Sequence, residues 1–307
     1  MNPENIPGMV EHVEQELLSR IGQFLKVDVD EVMLEFGAFF GRSTRSIVNG
    51  ILRNRNIELS SRSKPVLRVY DRFSSANEGN FVDYVKSFAG HGGVQDLLKE
   101  QDGKVHFRAV FDHYMLDVPE KVLDVYENEL YQMTHDGLAI KFMHIDLPKR
   151  WGEYQCLIDT FFLHLRKGAI LVYQDFFFHW SATLATAVFL WIEGGLFEPV
   201  RTAASSLVVK TKKEIIENDV RNLEAQMGSV DCVEVLHRCR DYFSKFDVDR
   251  REYFVNRLLL AQLQHSFEKR DFKIARSIFR VLIEKKIINV NGIYVDLLDL
   301  LGCGFSL

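Results

Sequence analysis

Apolar residues recur along most of the chain either in short runs or at helical spacing. Short apolar runs bounded by turn signals indicate buried strands, whereas apolar residues every three to four positions indicate amphipathic helices. By these criteria the sequence predicts strands at 32–36, 66–71, 105–111, 139–146, 169–173, 199–201 and 205–209. It predicts helices between them at 9–26, 44–52, 119–134, 153–165 and 182–193.

The order of these elements indicates the fold class. Strands that alternate with helices are typical of an α/β, doubly wound parallel sheet, and the last two strands, joined without a helix, predict an antiparallel edge hairpin. After residue 210 the apolar pattern is only helical, and the predicted helices are 215–227, 230–243, 251–267, 273–285 and 295–301. We therefore expect a seven-stranded sheet domain at 1–210, with a helical cover at 1–30, and an all-α region at 211–307. That region is expected to pack on the sheet domain or on a second subunit.

Composition excludes several classes of protein. The chain of 307 residues is 47% hydrophobic and 26% charged, which excludes wholesale disorder. Its net charge of −5 and pI near 6.1 show no overall excess of basic residues of the kind that binds nucleic acid. The sequence contains no apolar run long enough for a membrane span and no signal-peptide pattern at its start, so we expect a cytoplasmic protein. The four cysteines are scattered, which predicts reduced thiols rather than zinc or disulfides.

The first predicted strand runs into a glycine-containing loop. Glu35, Gly37, Gly41 and Ser43 follow the pattern E-x-G-x-x-x-G-x-S. The glycines allow tight curvature and close approach to a ligand, and Ser43 opens a helix whose free N–H groups favour an anion. The spacing differs from the G-x-G-x-x-G of dinucleotide-binding proteins and lacks a P-loop lysine. A strand–turn–helix with incidental glycines is the alternative interpretation.

A carboxylate ends the second predicted strand. Asp71 would lie at the carboxyl edge of the sheet, where ligands of open parallel sheets bind. An acidic residue at that place can accept hydrogen bonds from ribose hydroxyls. The alternative is a strand-end aspartate that caps the next turn, and its position relative to Gly37 favours ribose.

Together these motifs resemble a known family. The loop from Glu35 to Ser43 resembles the S-adenosylmethionine loop of class I methyltransferases, and more narrowly that of the O-methyltransferases related to catechol O-methyltransferase. Asp71-Arg72-Phe73 resembles the D-x-F of the macrocin-type sugar O-methyltransferases. The resemblance covers roughly residues 9–210, and it rests on strand-end motifs that occur in the family's order.

The resemblance implies how the cofactor would be held. Glu35 and Gly37 would line the methionine portion of S-adenosylmethionine, and Ser43 would hold its carboxylate. Phe111 would stack on the adenine, and Asp112 would accept from its amino group. A core phenylalanine beside a solvated aspartate is the alternative for the last two residues.

The resemblance also implies a catalytic centre. Catechol O-methyltransferase-like enzymes have a magnesium-binding aspartate and a base lysine at the spacing of Asp146 and Lys149. Gln174 and Asp175 stand where the family has further metal ligands. Gln174 offers only a neutral carbonyl, so Mg²⁺ is a possible but weakened cofactor. Without metal, Asp146, Lys149 or His179 could serve as base, His179 because its ordinary pKa lies near neutrality.

These observations lead to one favoured function and two alternatives. We expect an S-adenosylmethionine-dependent O-methyltransferase that acts on a small hydroxylated acceptor, such as a sugar, a glycan end or a natural product, and that forms a homo-oligomer. Transfer to nitrogen or carbon stays open. One alternative is a catalytically inactive methyltransferase-fold protein that binds a partner through its helical tail. The other is a Rossmann-type NAD or sugar-nucleotide enzyme, which the glycine spacing disfavours.

Overall fold

The computed structural model describes residues 1–75, 81–147 and 150–285. The strands are β1 (Glu31–Phe36), β2 (Leu67–Asp71), β3 (Lys99–Gln101), β4 (Lys104–His106), β5 (Leu123–Glu127), β6 (Ala139–Ile145), β7 (Leu165–Tyr173), β8 (Phe197–Ala203) and β9 (Ser206–Thr211). The α-helices are α1 (His12–Phe24), α2 (Arg42–Ile51), α3 (Phe81–His91), α4 (Arg108–Met115), α5 (Trp151–Phe161), α6 (Ala182–Glu193), α7 (Glu217–Met227), α8 (Cys232–Phe246), α9 (Arg251–Glu268) and α10 (Phe272–Glu284). The helix predicted at 295–301 lies outside the described residues.

Within the described ranges, a seven-stranded sheet has the order β5-β2-β1-β6-β7-β9-β8. The pairs β5–β2, β2–β1, β1–β6 and β6–β7 are parallel, and β9 runs antiparallel to β7. All six residues of β1 are buried, as expected for a central strand of a parallel sheet. This confirms the predicted sheet with its antiparallel edge hairpin. The strand order reverses between β1 and β6, which is where ligands bind in doubly wound sheets.

Two sequence-based assignments are wrong. The strand predicted at 105–111 is in fact the end of a two-stranded hairpin, β3–β4, followed by α4. The helix predicted at 119–134 contains β5, which pairs with β2 at the edge of the large sheet. The buried side chains of α4 recur at helical spacing, whereas most of β5 is only half-buried and therefore lacks a continuous apolar run.

Helices α1 and α2 cross at a pair of glycines. A Cβ on Gly22 would lie 2.5 Å from the carbonyl oxygen of Ile47 and 3.1 Å from the Cα of Gly50. A Cβ on Gly50 would collide with the backbone of Ser19. Only glycine at both positions allows the helix backbones to approach this closely, so the N-terminal helix packs directly on α2.

The described residues form two compact units. The first comprises Met1–Leu147, Gln155–Gln174 and Glu198–Ile216 and contains nearly the whole large sheet; the second contains Asp175–Phe197 and the helices from Glu217 onward. The core of the second unit contains an aromatic cluster, in which the ring centroids of Phe177 and Phe254 are 4.4 Å apart. Among the described helices, none combines the length and apolarity that crossing a membrane requires.

Candidate functional site

The loop that joins β1 to α2 lies at the switch in strand order and has an unusual backbone. Gly37, Phe39 and Gly41 all have positive φ, at 88°, 51° and 95°. A Cβ on Gly37 would lie 3.2 Å from the Cγ of Leu147, and one on Gly41 would lie 2.6 Å from the Cε of Met115. The two glycines of the motif are therefore required by both backbone conformation and close packing.

Asp71 holds this loop through its side chain. Its Oδ2 accepts hydrogen bonds from the backbone N–H groups of Ala38 (2.8 Å) and Phe39 (2.9 Å), and its Oδ1 accepts one from Phe73 (2.7 Å). Burial raises the pKa of Asp71 to about 6, although these three hydrogen bonds and the charge of Arg72 oppose the shift. Part of its hydrogen-bonding capacity is thus used by the protein, and the predicted ribose contact stays a proposal.

The start of α2 presents polar groups without partners. The helix begins after Gly41 without a side-chain cap, so its first amides have no intrahelical acceptor. Within the described residues, the buried Thr44 Oγ1 and Glu35 Oε2 have no hydrogen-bond partner. Ser43 is buried in the first turn of the same helix. Free amides suit a carboxylate and an unpaired carboxylate oxygen suits an ammonium, so these residues fit the amino-acid end of S-adenosylmethionine.

A buried polar chain crosses the sheet beside this loop. His144 Nδ1 lies 3.2 Å from Glu35 Oε1, and His144 Nε2 lies 2.9 Å from Gln174 Oε1. Burial alone would lower the pKa of His144. The hydrogen bond and charge of Glu35, the charge of Asp146 and the hydrogen bond of Gln174 outweigh it, so the pKa of His144 is raised. The two neighbours therefore favour the protonated form of the imidazole, in which both ring nitrogens can donate.

The hydrogen bond between His144 and Gln174 affects the predicted magnesium site. The Gln174 amide oxygen, predicted as a metal ligand, is already bonded by His144. The described ranges contain no group of three His, Cys, Asp or Glu side chains that could hold a metal ion. Gln174 thus offers Mg²⁺, which prefers hard oxygen ligands, only a neutral carbonyl that is already hydrogen-bonded. The metal set of Asp146, Gln174 and Asp175 therefore stays a prediction.

The two predicted adenine contacts lie on a helix. Phe111 is fully buried in α4, where its ring lies 5.0 Å from that of Phe73 and packs against Gly41. Asp112 is half-exposed on the same helix and forms an ion pair with Arg108, N–O 2.8 Å. Both side chains contact other groups of the protein, and contact of either with adenine stays a prediction.

The predicted bases occupy different environments. Asp146 ends β6 half-buried, its N–H donates to the Phe36 carbonyl (2.9 Å), and its Cβ would lie 3.3 Å from a Cβ on Gly37. Lys149 lies outside the described residues. His179 belongs to the second unit, and burial together with the charge of Arg257 lowers its pKa to about 4, against the charge of Asp175. His179 is thus a weak base, whereas Asp146 lies beside the loop.

His144 is a site residue that the sequence motifs did not indicate. A histidine within the otherwise apolar run 142–145, level with the glutamate of the neighbouring strand, is the signal that could have found it. The register pairs Glu35 directly with His144, and this pairing is visible only once β1 and β6 are known to be adjacent.

Comparison with solved structures finds distant similarity. No family model and no curated protein matches the chain. The apo structure of CalS11, a TDP-rhamnose 3'-O-methyltransferase in calicheamicin biosynthesis, is similar at 17% identity and a TM-score of 0.39, covering 64% of this chain and 77% of that one. A second CalS11 structure, described as a calicheamicin methyltransferase, has 14% identity and a TM-score of 0.37, covering 64% and 76%. The sheet order itself, with its antiparallel edge hairpin, fits a methyltransferase fold.

Proposed function

We propose that the chain binds S-adenosylmethionine at the β1–α2 loop and transfers its methyl group to a hydroxyl of a small acceptor, such as a sugar, a glycan end or a natural product. One observation carries the proposal. Two buried polar atoms without partners among the described residues, Glu35 Oε2 and Thr44 Oγ1, flank a glycine loop at the switch point of the sheet. Leaving such atoms unpaired is costly, and a ligand that bonds them removes the cost.

The proposed binding roles follow from this arrangement. The free amides at the start of α2, with Ser43 and Thr44, bind the carboxylate of the amino-acid end. Glu35 Oε2 accepts from its ammonium. Asp71 fixes the loop in its left-handed conformation, so that the amides are already oriented when the ligand arrives. Bound S-adenosylmethionine supplies a methyl group on a positively charged sulfur.

Asp146 is the described group that we assign to the acceptor. Its position at the end of β6 beside Gly37 allows it to take the proton of the acceptor hydroxyl. The oxygen that loses this proton forms the new bond to the methyl carbon, and the bond from that carbon to sulfur breaks. Most of the acceleration would come from proximity and orientation. Lys149 is a second candidate for the proton transfer.

Calorimetric titration with S-adenosylhomocysteine tests the cofactor site. Thr44→Val removes an unpaired hydroxyl, so it should leave thermal stability unchanged or raise it while weakening the affinity. Thr186→Val is the matched control, because the Thr186 hydroxyl already donates to the Ala182 carbonyl (2.8 Å). It should lower stability and leave the affinity unchanged. The absence of binding to the wild type at millimolar ligand would contradict the proposal.

A second candidate function is a methyltransferase-fold protein without catalysis, which binds a partner through its C-terminal helices. The specific observation in its favour is that Gln174, at a catalytic position of the resembled family, is committed to His144. This candidate predicts that S-adenosylhomocysteine binds but that no methyl transfer follows with sugar or phenol acceptors. Turnover with any such acceptor excludes it.

A further inference from the structure

The second unit contains an aromatic cluster that the proposed methyl transfer does not use. It consists of Phe178, His179, Trp180, Tyr253 and Arg257, here called the 178–257 cluster. The ring centroids of Phe178 and Trp180 are 4.0 Å apart, and that of His179 lies 4.8 Å and 4.9 Å from them. Trp180 is 41% exposed, so one large aromatic surface of this cluster is open to a ligand.

Arg257 gives the cluster a positive charge. Its guanidinium carbon lies 4.8 Å from the centre of the Phe178 ring and 5.4 Å from that of Tyr253. The side chain is only partly exposed, and within the described part of the chain it forms no hydrogen bond or ion pair. Ring faces attract the cation but accept few of its five N–H donors, so the guanidinium keeps its capacity to bind an anion.

His179 adds unused polar groups at the same place. Both ring nitrogens are buried and have no hydrogen-bond partner among the residues described. Its pKa is low, so the ring is neutral near pH 7 and can both donate and accept. An exposed indole and a guanidinium to which the described residues supply no anion thus lie within one cluster, beside an imidazole whose buried nitrogens have no described partner.

We propose that the 178–257 cluster binds a small molecule that combines a planar ring with a phosphate or carboxylate group. The ring stacks on Trp180 and the anion pairs with Arg257. Arginine suits this role because its planar fork can give two parallel hydrogen bonds to either anion. The site goes beyond the proposed methyl transfer and needs neither S-adenosylmethionine nor the β1–α2 loop.

Fluorescence titration of the full chain tests the proposal, because Trp180 is one of only three tryptophans. The probes are phenyl phosphate, benzoate, phenol and inorganic phosphate, and Trp180→Phe identifies the part of the signal that comes from this residue. Phenyl phosphate or benzoate should bind about tenfold more tightly than phenol or inorganic phosphate, as one charge-assisted pair predicts. The tighter of the two anionic probes distinguishes a phosphate from a carboxylate ligand.

Arg257→Gln should remove this preference, so that the anionic probes bind like phenol. Arg276→Gln is the matched control, because Arg276 is an exposed arginine of α10 in the same unit and should leave all affinities unchanged. Circular dichroism checks the fold, and if Arg257→Gln fails to fold, Arg257→Lys, which keeps the charge but loses the fork, should weaken anion binding several-fold. Equal affinities for phenol and phenyl phosphate, or an Arg257 variant that binds like wild type, would overturn the proposal.

Discussion

His144 Nδ1 and Glu35 Oε1 lie 3.2 Å apart between two neighbouring strands of the sheet, with both side chains almost completely buried. The strands pair these residues directly, so the contact is fixed by the register of β1 and β6. A buried ion pair gains little over apolar residues of the same size, but the loss of one partner leaves an uncompensated charge. A single substitution at Glu35 or His144 should therefore destabilise the edge of the sheet that carries the β1–α2 loop.

We expect His144→Leu to lower the free energy of unfolding by about 3–5 kcal/mol, because Glu35 would then be a buried charge without a partner. Adding Glu35→Gln removes that charge, so the double variant should lose less than the sum of the single changes. Urea unfolding of the four proteins measures the coupling. His12→Leu is the control, since the His12 side chain is 68% exposed and its loss should change stability by less than about 0.5 kcal/mol. Additive losses would show that the pair is not coupled.

Asp71 predicts a pH dependence with a defined sign. Its pKa is raised from 3.8 to about 6 in the folded chain, so between these values the folded state binds more protons than the unfolded state. Its contribution to stability is then complete below pH 3.8 and is lost as the pH rises through about 6. The loss amounts to about 3 kcal/mol.

The measurement is the difference in unfolding free energy between the wild type and Asp71→Asn, taken from pH 4 to pH 7. This difference should move against the wild type as the pH rises, because the variant no longer titrates at this position. Asp96→Asn, at an exposed carboxyl group, is the control. A wild type that gains stability relative to Asp71→Asn over this interval would reverse the expected sign.

Alanine substitutions at Gly50, which lies where α1 and α2 cross, and at Gly90, which lies outside that contact, should have opposite effects on stability. Gly50→Ala should lower stability by several kcal/mol, because the new Cβ meets backbone atoms of α1 and the helices must separate. Gly90 lies in α3, and a Cβ there would meet nothing within 4 Å. Gly90→Ala should therefore raise stability by about 0.5–1 kcal/mol through helix propensity alone. The midpoints of urea unfolding of the two variants measure these effects. A similar change in both would contradict the close contact between α1 and α2.

The sequence predicted those elements whose burial is one-sided or complete. The central strands β1, β2, β6 and β7 each contain a short, mostly apolar run, and α6 was predicted with the bounds that the structure has, 182–193. The edge strand β5 was missed because half-burial removes the run of apolar residues that identifies a strand. The E-x-G-x-x-x-G-x-S spacing located the loop, but the commitment of Gln174 and Asp71 to protein partners depends on register and backbone position, which no spacing encodes.

The commitment of Gln174 leads to the last prediction, which concerns metal. The Gln174 amide oxygen already bonds to His144 Nε2, so only one lone pair of a neutral, oriented carbonyl is left for Mg²⁺, which prefers carboxylates. Affinity for S-adenosylhomocysteine, and methyl transfer once an acceptor is found, should therefore be unchanged by EDTA and by added Mg²⁺. Gln174→Glu is the more demanding variant, because one oxygen of a carboxylate at this position would pair with His144. The variant should stay insensitive to Mg²⁺. Loss of activity in EDTA that Mg²⁺ restores in the wild type would show that the hydrogen bond to His144 yields to the metal.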